Sequence, residues 1–128
     1  MKPLTPCYCG GSAYQSCCEP LHHGVPAPTA EALMRSRYSA YVLGLAAYLS
    51  LTWHPSTRSS SLDLSEPTQW LGLQVLRHIE DGEKAVVEFV ARYKVNGKAH
   101  RLHEVSRFVR EAERWYYLDG KVDGEAGS

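Results

Sequence analysis

The chain has 128 residues, 44% hydrophobic and 22% charged, which is the size and balance of one globular domain with a core of its own. Its 14 basic and 14 acidic residues cancel, which disfavours a nucleic-acid-binding protein that relies on an overall basic surface. The sequence has no run of ~18 apolar residues to span a membrane and no apolar N-terminal run to act as a signal peptide. We therefore expect a cytoplasmic, reducing setting.

Residues 1–28 differ in composition from the rest of the chain, because they hold all four cysteines and five of the seven prolines. The cysteines fall within twelve residues, as Cys7 and Cys9 followed by Cys17 and Cys18. In a reducing compartment such a cluster indicates metal ligands or redox groups before disulfides, and the Cys-x-x-Cys spacing usual in redox chemistry is missing. Four thiolates suit tetrahedral zinc. The sequence therefore predicts a knuckle that holds one structural zinc ion per chain and that is disordered without it.

A helical pattern begins at Thr29, which is a good N-cap residue. Apolar residues then recur at helical spacing up to Leu45, and Gly44 is placed to end this first helix. A second, short helix is predicted for residues 46–52, because Pro55 excludes its continuation. Two helices are therefore expected before the remainder of the chain.

The second half of the chain alternates apolar and polar residues, which is typical of strands. Asp81-Gly82 and Asn96-Gly97 are strong hairpin signals. The predicted strands are residues 71–80, 85–95, 100–110 and 114–118. Together with the helices they predict an α+β fold, with two helices packed on one face of a curved four-strand antiparallel sheet. We expect a flexible tail at residues 121–128.

Four polar residues are candidates for a pocket in this domain: His54, His103, Glu104 and Arg107. A histidine beside a carboxylate at the mouth of a curved sheet is suited to acid–base chemistry or ligand binding. Strand alternation sends His103 and Arg107 to one face and Glu104 to the other, so they share one site only if a bulge intervenes. The alternative is structural: His54 bonds the loop that follows it, and the strand residues form cross-strand ion pairs.

Arg37 is the most unusual polar residue of the first helix, because it lies four positions from both Leu33 and Tyr41 on the side that faces the core. We expect it to point inward, either as a polar anchor that pairs with a buried acid or as a pocket residue.

The cysteine segment resembles the SEC-C motif, the zinc knuckle found at the C-terminus of the preprotein translocase ATPase SecA. The resemblance implies that Cys7, Cys9, Cys17 and Cys18 are the zinc ligands. Seven residues separate Cys9 from Cys17 where the motif has eight, which leaves His22 or His23 as alternatives to Cys18 for the fourth ligand.

Nearly the whole chain, over roughly residues 5–120, resembles the YchJ-like family of bacterial proteins. The similar segments are EALMRSRYSAYVLG, YLSLTWHPSTR, WLGLQVL, VEFVARY, HRLHEVSRFVRE and RWYYLDG. The resemblance implies a SEC-C knuckle and linker at residues 1–28, joined to a nuclear-transport-factor-two-like, cystatin-related domain at residues 29–120. It implies no particular activity.

Two functions follow as expectations. The first is a zinc-binding module whose knuckle docks onto a protein or ribonucleoprotein through exposed Tyr8, Tyr14 and Leu21, with a homodimer through the open sheet face as a further expectation. The second is a small-molecule-binding protein or acid–base enzyme that uses a pocket in the α+β cone. Catalytic zinc is disfavoured if four protein ligands leave no open position on the ion.

Overall fold

The computed structural model describes residues 7–10, 13–58 and 68–122. The described elements, in chain order, are a 3₁₀ turn Tyr14–Ser16, α1 Glu19–His22, α2 Ala30–Leu43, α3 Ala46–Leu51, β1 Thr68–Asp81, β2 Lys84–Val95, β3 Lys98–Glu111 and β4 Arg114–Val122. The order of helices and strands confirms the α+β prediction. None of the described helices is both long and apolar enough to cross a membrane.

The two predicted helices form where their end signals place them. The Thr29 hydroxyl accepts a hydrogen bond from the Ala32 amide at 3.0 Å and caps α2. Gly44 adopts a left-handed conformation with φ of 74° and ends the helix, and α3 begins two residues later at Ala46. Neither α1 nor the 3₁₀ turn was predicted, because such short elements carry no periodicity and are ordered by what they pack against.

All four strands pair antiparallel in the order β1-β2-β3-β4. The strands are longer than predicted because the hairpins pair right up to two-residue turns, such as Asn96-Gly97 between paired Val95 and Lys98. Both turn residues have positive φ, which matches the twist of the strands. β4 extends to Val122, which is in register with Glu104 of β3, so the strand includes the first two residues of the predicted tail. Residues 123–128 of that tail lie outside the described part of the chain.

The core lies between the helices and one face of the sheet. Strand alternation turns Val87 of β2 and the fully buried Phe108 of β3 toward the helices. Trp115 and Leu33 of α2 belong to the same buried cluster. The buried cysteines are continuous with this cluster, so the knuckle is packed onto the domain.

The segment after α3 lies along the outer edge of β4. The His54 amide donates to the Tyr117 carbonyl at 2.7 Å, and the Tyr117 amide donates to the Thr52 carbonyl at 2.8 Å. These bonds form a short parallel bridge between Trp53 and Tyr117. The bridge ties the end of the helical layer to the sheet and brings Trp53 over the concave face.

Candidate metal centre and cone cavity

The four cysteines of the knuckle converge on one point. The Sγ atoms of Cys7, Cys9, Cys17 and Cys18 all lie within 4.8 Å of one another. The Cys9 Sγ lies 3.5 Å from that of Cys7 and 3.6 Å from that of Cys17, and the Cys17 and Cys18 Sγ atoms are 3.9 Å apart. Tetrahedral zinc with bonds of about 2.3 Å requires sulfur–sulfur separations of about 3.8 Å. The donor set and its spacing fit one zinc ion.

Most of the thiol cluster is buried. Cys9 is fully buried, Cys7 and Cys18 are buried, and Cys17 is half-buried. Burial and the thiols of Cys7 and Cys9 raise the pKa of the Cys17 thiol to about 12. A hydrogen bond with Cys9, followed by burial, raises the pKa of Cys18. These thiols must lose their protons before they can bind a cation, and the four sulfurs together could hold one metal ion.

Helix α2 stabilises the thiol cluster through hydrogen bonds. The buried Ser39 hydroxyl donates to the Cys18 Sγ at 3.3 Å and lies 3.7 Å from the Cys7 Sγ. Arg35 donates from Nη1 to the Cys9 carbonyl at 3.1 Å. Hydrogen bonds to ligand atoms and to ligand backbone orient a metal site. The knuckle and α2 are therefore one unit.

His22 provides a second tie between the knuckle and α2, and it is not part of the thiol cluster. Its Nε2 donates to the Ser36 carbonyl at 2.8 Å, so its Nδ1 accepts from the Tyr14 hydroxyl, also at 2.8 Å. His23 is exposed, with Nε2 at 3.8 Å from Glu19. The structure thus places Cys18 in the cluster in spite of the shortened turn, and it uses His22 for packing.

The residues expected to form a docking surface on the knuckle lie mostly inward. Leu21 is buried, and Tyr14 is half-buried with its hydroxyl on His22. Tyr8 is 39% exposed and packs its ring edge-on against Tyr14 at 5.6 Å. Of the three, Tyr8 alone has the exposure that the docking hypothesis requires.

A cavity of about 300 Å³ occupies the mouth of the cone, between α2 and the concave face of the sheet. Helix α2 contributes Met34, Arg37, Tyr38 and Tyr41, a stripe with the i, i+3, i+4, i+7 spacing of one helix face. The sheet and the segment after α3 complete the wall with Trp53, Trp70, Phe89, Ala91, Leu102, Glu104, Ser106, Phe108 and Tyr117. The lining is largely aromatic, with a few polar groups aimed inward.

Arg37 is the buried cation of this cavity. It is 6% exposed, and its Nη1 donates to the Leu49 carbonyl at 2.8 Å and to the Thr52 hydroxyl at 2.6 Å. Its Cζ lies 4.7 Å from the centre of the Tyr117 ring and 6.0 Å from that of Trp53, within cation–π range. Burial lowers the pKa of Arg37. The inward orientation matches the prediction, but these bonds go to neutral oxygens and not to an acid.

Glu104 is the carboxylate of the cavity. Its Oε2 accepts from the Ser106 hydroxyl at 2.6 Å and from the Tyr117 hydroxyl at 3.4 Å. Burial and the neighbouring Glu104 raise the pKa of Tyr117, which keeps this hydroxyl protonated as a donor. Gly120 of β4 lies against the Glu104 carboxylate, and a Cβ at position 120 would overlap that carboxylate. The backbone of β4 therefore helps to fix the side chain of Glu104.

Of the four predicted pocket residues, the structure places only Glu104 in the cavity lining. His54 instead links the loop that follows it to β3. Its Nδ1 accepts a hydrogen bond from the Ser56 hydroxyl and its Nε2 donates to Glu111, both at 2.8 Å. The pocket hypothesis required His54 to share a cavity with Glu104 or His103, and the cone cavity does not meet that condition.

The other two predicted pocket residues lie on the opposite face of the sheet, as strand alternation indicated. His103 donates from Nε2 to Glu88 at 2.7 Å, and Glu88 also lies 3.3 Å from the Nε of Arg77. Arg107 forms a two-pronged ion pair with Asp119 of β4, with Nε at 2.7 Å from Oδ1. The ion-pair alternative describes these two residues.

Sequence reasoning did not identify Ser36, Ser39 or Tyr48 as supports of the knuckle. Ser36 and Ser39 are both fully buried, and the Ser36 hydroxyl lies 2.7 Å from that of Tyr48. The available signal was their spacing of three on α2, which places two small polar residues on one helix face. That face meets the cysteines, while the Arg37 face meets the cavity.

Comparison with known proteins agrees with this architecture. The family model for the YchJ middle NTF2-like domain matches residues 29–120. The chain belongs to the YchJ-like family. A UPF0225 protein of Cupriavidus metallidurans is 57% identical over 125 residues, which cover 91% of this chain and 89% of that protein. A UPF0225 protein of Ralstonia nicotianae is also 57% identical, over 94% of this chain and 93% of its own length.

Two solved structures share the fold of this YchJ-like chain. The solution structure of a SEC-C motif-containing protein from Rhodopseudomonas palustris matches with a TM-score of 0.82 and 36% identity, over 91% of this chain and 98% of the other. The crystal structure of a SEC-C motif-containing protein from Psychrobacter arcticus matches with a TM-score of 0.76 and 33% identity, over 94% and 82%. The predicted SEC-C knuckle joined to a nuclear-transport-factor-two-like domain is thereby confirmed as the fold of this chain.

Proposed function

We propose that this protein binds one structural zinc ion through Cys7, Cys9, Cys17 and Cys18, and that the ion fixes the knuckle on α2. The observation that carries the proposal is the largely buried cluster of four Sγ atoms within 4.8 Å of one another. Four sulfur ligands in a buried, tetrahedral arrangement are typical of structural zinc sites.

The proposed zinc site also affects the rest of the domain, because helix α2 contacts both the knuckle and the cone cavity. One side of α2 carries Ser39 under the cysteines, and another side carries Arg37 into the cone cavity. A knuckle fixed by zinc therefore positions the helix that forms one wall of the cavity.

Elemental analysis of protein purified without added metal tests the zinc site. We expect one zinc per chain in the wild type and its loss in Cys17→Ser. The neighbouring Ser16→Ala is the matched control, because Ser16 is exposed and its hydroxyl donates to the Ala13 carbonyl at 3.3 Å, so this variant should keep the metal. Wild-type protein without metal when purified under reducing conditions would refute the proposal.

The second candidate function is the binding of a small molecule in the cone cavity. The specific observation is an aromatic cavity of about 300 Å³ that contains both a buried arginine and a carboxylate. Ligand sites combine such apolar walls with a few convergent polar groups, and ~300 Å³ is the lower end of their usual size.

A fragment screen by NMR tests this second function. We expect small planar fragments to shift resonances of the Trp53 indole, and we expect Ala91→Phe, which places a ring in the cavity, to abolish the shifts. Val86→Phe is the matched control, since Val86 lies on the opposite face of the sheet. A panel of neutral and charged fragments that leaves the Trp53 indole unshifted would refute the function.

Docking of the knuckle onto a protein or ribonucleoprotein stays a prediction. Its support is the exposure of Tyr8 and of Val25 in the linker, at 39% and 52%. Pull-down with Tyr8→Ser and Val25→Ser as paired variants would test it, with loss of a specific partner in both as the expected result.

A further inference from the structure

The two charged groups of the cone cavity, Arg37 and Glu104, differ in how many of their hydrogen-bonding positions are already used. This difference indicates which kind of ligand the cavity would bind. The cavity lies at the small end of ligand sites, so its occupant is about the size of one substituted ring. Walls formed by the rings of Tyr38, Tyr41 and Trp70 favour a planar, apolar body.

The region around Arg37 has more donors than acceptors. Nη1 of Arg37 is used by the Leu49 carbonyl and the Thr52 hydroxyl, and no described residue accepts from its Nε or Nη2. The indole Nε1 of Trp53 is buried and likewise lacks an acceptor among the described residues. A buried donor such as the Trp53 Nε1 is costly to leave unpaired. An acceptor placed here would also pair with the Nε or Nη2 of Arg37.

Glu104 does not supply that acceptor. Its Oε2 is held by Ser106 and Tyr117, and no ion pair between it and Arg37 occurs within the described segments. The Tyr117 ring separates the two groups: its face lies against the Arg37 guanidinium, and its hydroxyl lies on Glu104. A donor on the ligand would satisfy the remaining acceptor capacity of Glu104.

We propose that the cone cavity binds a small aromatic carboxylic acid, with its carboxylate on Arg37 and the Trp53 Nε1 and with a hydroxyl or amino substituent donating to Glu104. This inference rests on the small-molecule function proposed above and adds the chemical class of the ligand. An ionised carboxylate accepts from a guanidinium edge and an indole together, which makes it the best match to the unpaired donors.

Titration of the full zinc-loaded chain with matched probes, followed by NMR, tests the class of ligand. The probes are 4-hydroxybenzoate, 4-hydroxybenzamide and benzoate. We expect 4-hydroxybenzoate to bind at least about tenfold more tightly than the amide, since a charge-assisted hydrogen bond exceeds a neutral one by about that factor. Removal of the hydroxyl, as in benzoate, should also weaken binding.

Three variants locate the contacts. Trp53→Phe keeps a ring but removes the Nε1 donor, and it should weaken 4-hydroxybenzoate about tenfold. Trp70→Phe makes the same change elsewhere in the cavity lining and should have a smaller effect. Arg37→Gln should abolish the preference for the acid over the amide, and Trp53→Phe keeps the test valid if that variant does not fold.

The outcomes separate this inference from the function on which it rests. Equal affinity for acid and amide would overturn the assignment of an acid while leaving a ligand-binding cavity in place. Equal losses in Trp53→Phe and Trp70→Phe would overturn the assigned contacts. Absence of any shift at the Trp53 indole with acid, amide and the wider panel would overturn both.

Discussion

The knuckle and the sheet are stabilised in different ways. The knuckle has two short helical turns, and its order depends on four thiols and on side-chain bonds to α2, such as those of His22 and Ser39. The sheet has four long strands joined by tight hairpins and buries Phe108 and Val87 against the helices. The first region is built from a few specific groups and the second from many similar ones. Loss of one group should therefore remove order from the knuckle but only lower the stability of the sheet.

The largest expected effect is that of metal removal. Structural zinc contributes ~10–16 kcal/mol to the folding free energy of small knuckles. The regular structure in the described part of the knuckle does not stabilise it by a comparable amount. We expect a chelator to expose the amides of residues 13–24 to rapid hydrogen exchange while β2 and β3 stay protected. Loss of protection in both regions at the same rate would show that the two regions are a single cooperative unit.

The next effect should fall on the sheet alone. Phe108 is 1% exposed, and Phe108→Ala should lower the free energy of unfolding by ~3–5 kcal/mol because it leaves a cavity. Urea denaturation of the zinc-loaded protein measures this value, and zinc content should stay at one per chain. Ile79→Ala is the control, because Ile79 is 49% exposed and should lose far less.

A smaller effect is expected at the junction of the two regions. His22→Gln breaks the half-buried hydrogen bonds to Tyr14 and Ser36, which should cost ~1–3 kcal/mol and speed amide exchange in the knuckle. His23→Gln changes the neighbouring exposed histidine and should have little effect on either measurement. Equal effects of the two substitutions would contradict the role assigned to His22.

The smallest effect concerns the outer face of the sheet. Hydrogen bonds from Arg107 hold the pKa of Asp119 below its ordinary value. The stabilisation is therefore complete above the unfolded pKa of about 3.9 and is lost as pH falls through the lower folded value. Arg107→Ala should have a lower urea midpoint than the wild type at neutral pH, and the difference should shrink from about pH 5 to about pH 2. A difference that does not change with pH would count against the ion pair.

The sequence predicted the repetitive parts of this fold better than the specific ones. Thr29 and Gly44 marked the ends of α2, and Asn96-Gly97 marked a hairpin, because these signals act within a few residues. The cavity could not be predicted from such local signals. Trp53 lines it because a bridge pairs this residue with β4, and no local sequence pattern predicts that bridge.

Three of the four predicted pocket residues lie elsewhere for a related reason. Histidines and charged residues are the usual candidates for a functional pocket, but His54 and His103 are each hydrogen-bonded to a carboxylate outside the cone cavity. Arg37 was correctly expected to point inward from its spacing on α2. Its neutral partners come from α3 and the residue after it, and helical spacing contains no information about them.

The short bridge between Trp53 and Tyr117 also limits the growth of the sheet. The unpaired edge of a strand is a template on which strands from other chains can pair and aggregate. The bridge occupies the middle of the β4 edge, and the β1 edge is interrupted by two bulges, at Leu71 and Leu76. Each edge is thus irregular where a new strand would need a continuous row of partners. This irregularity works against the addition of strands from another copy to the four long strands of the sheet.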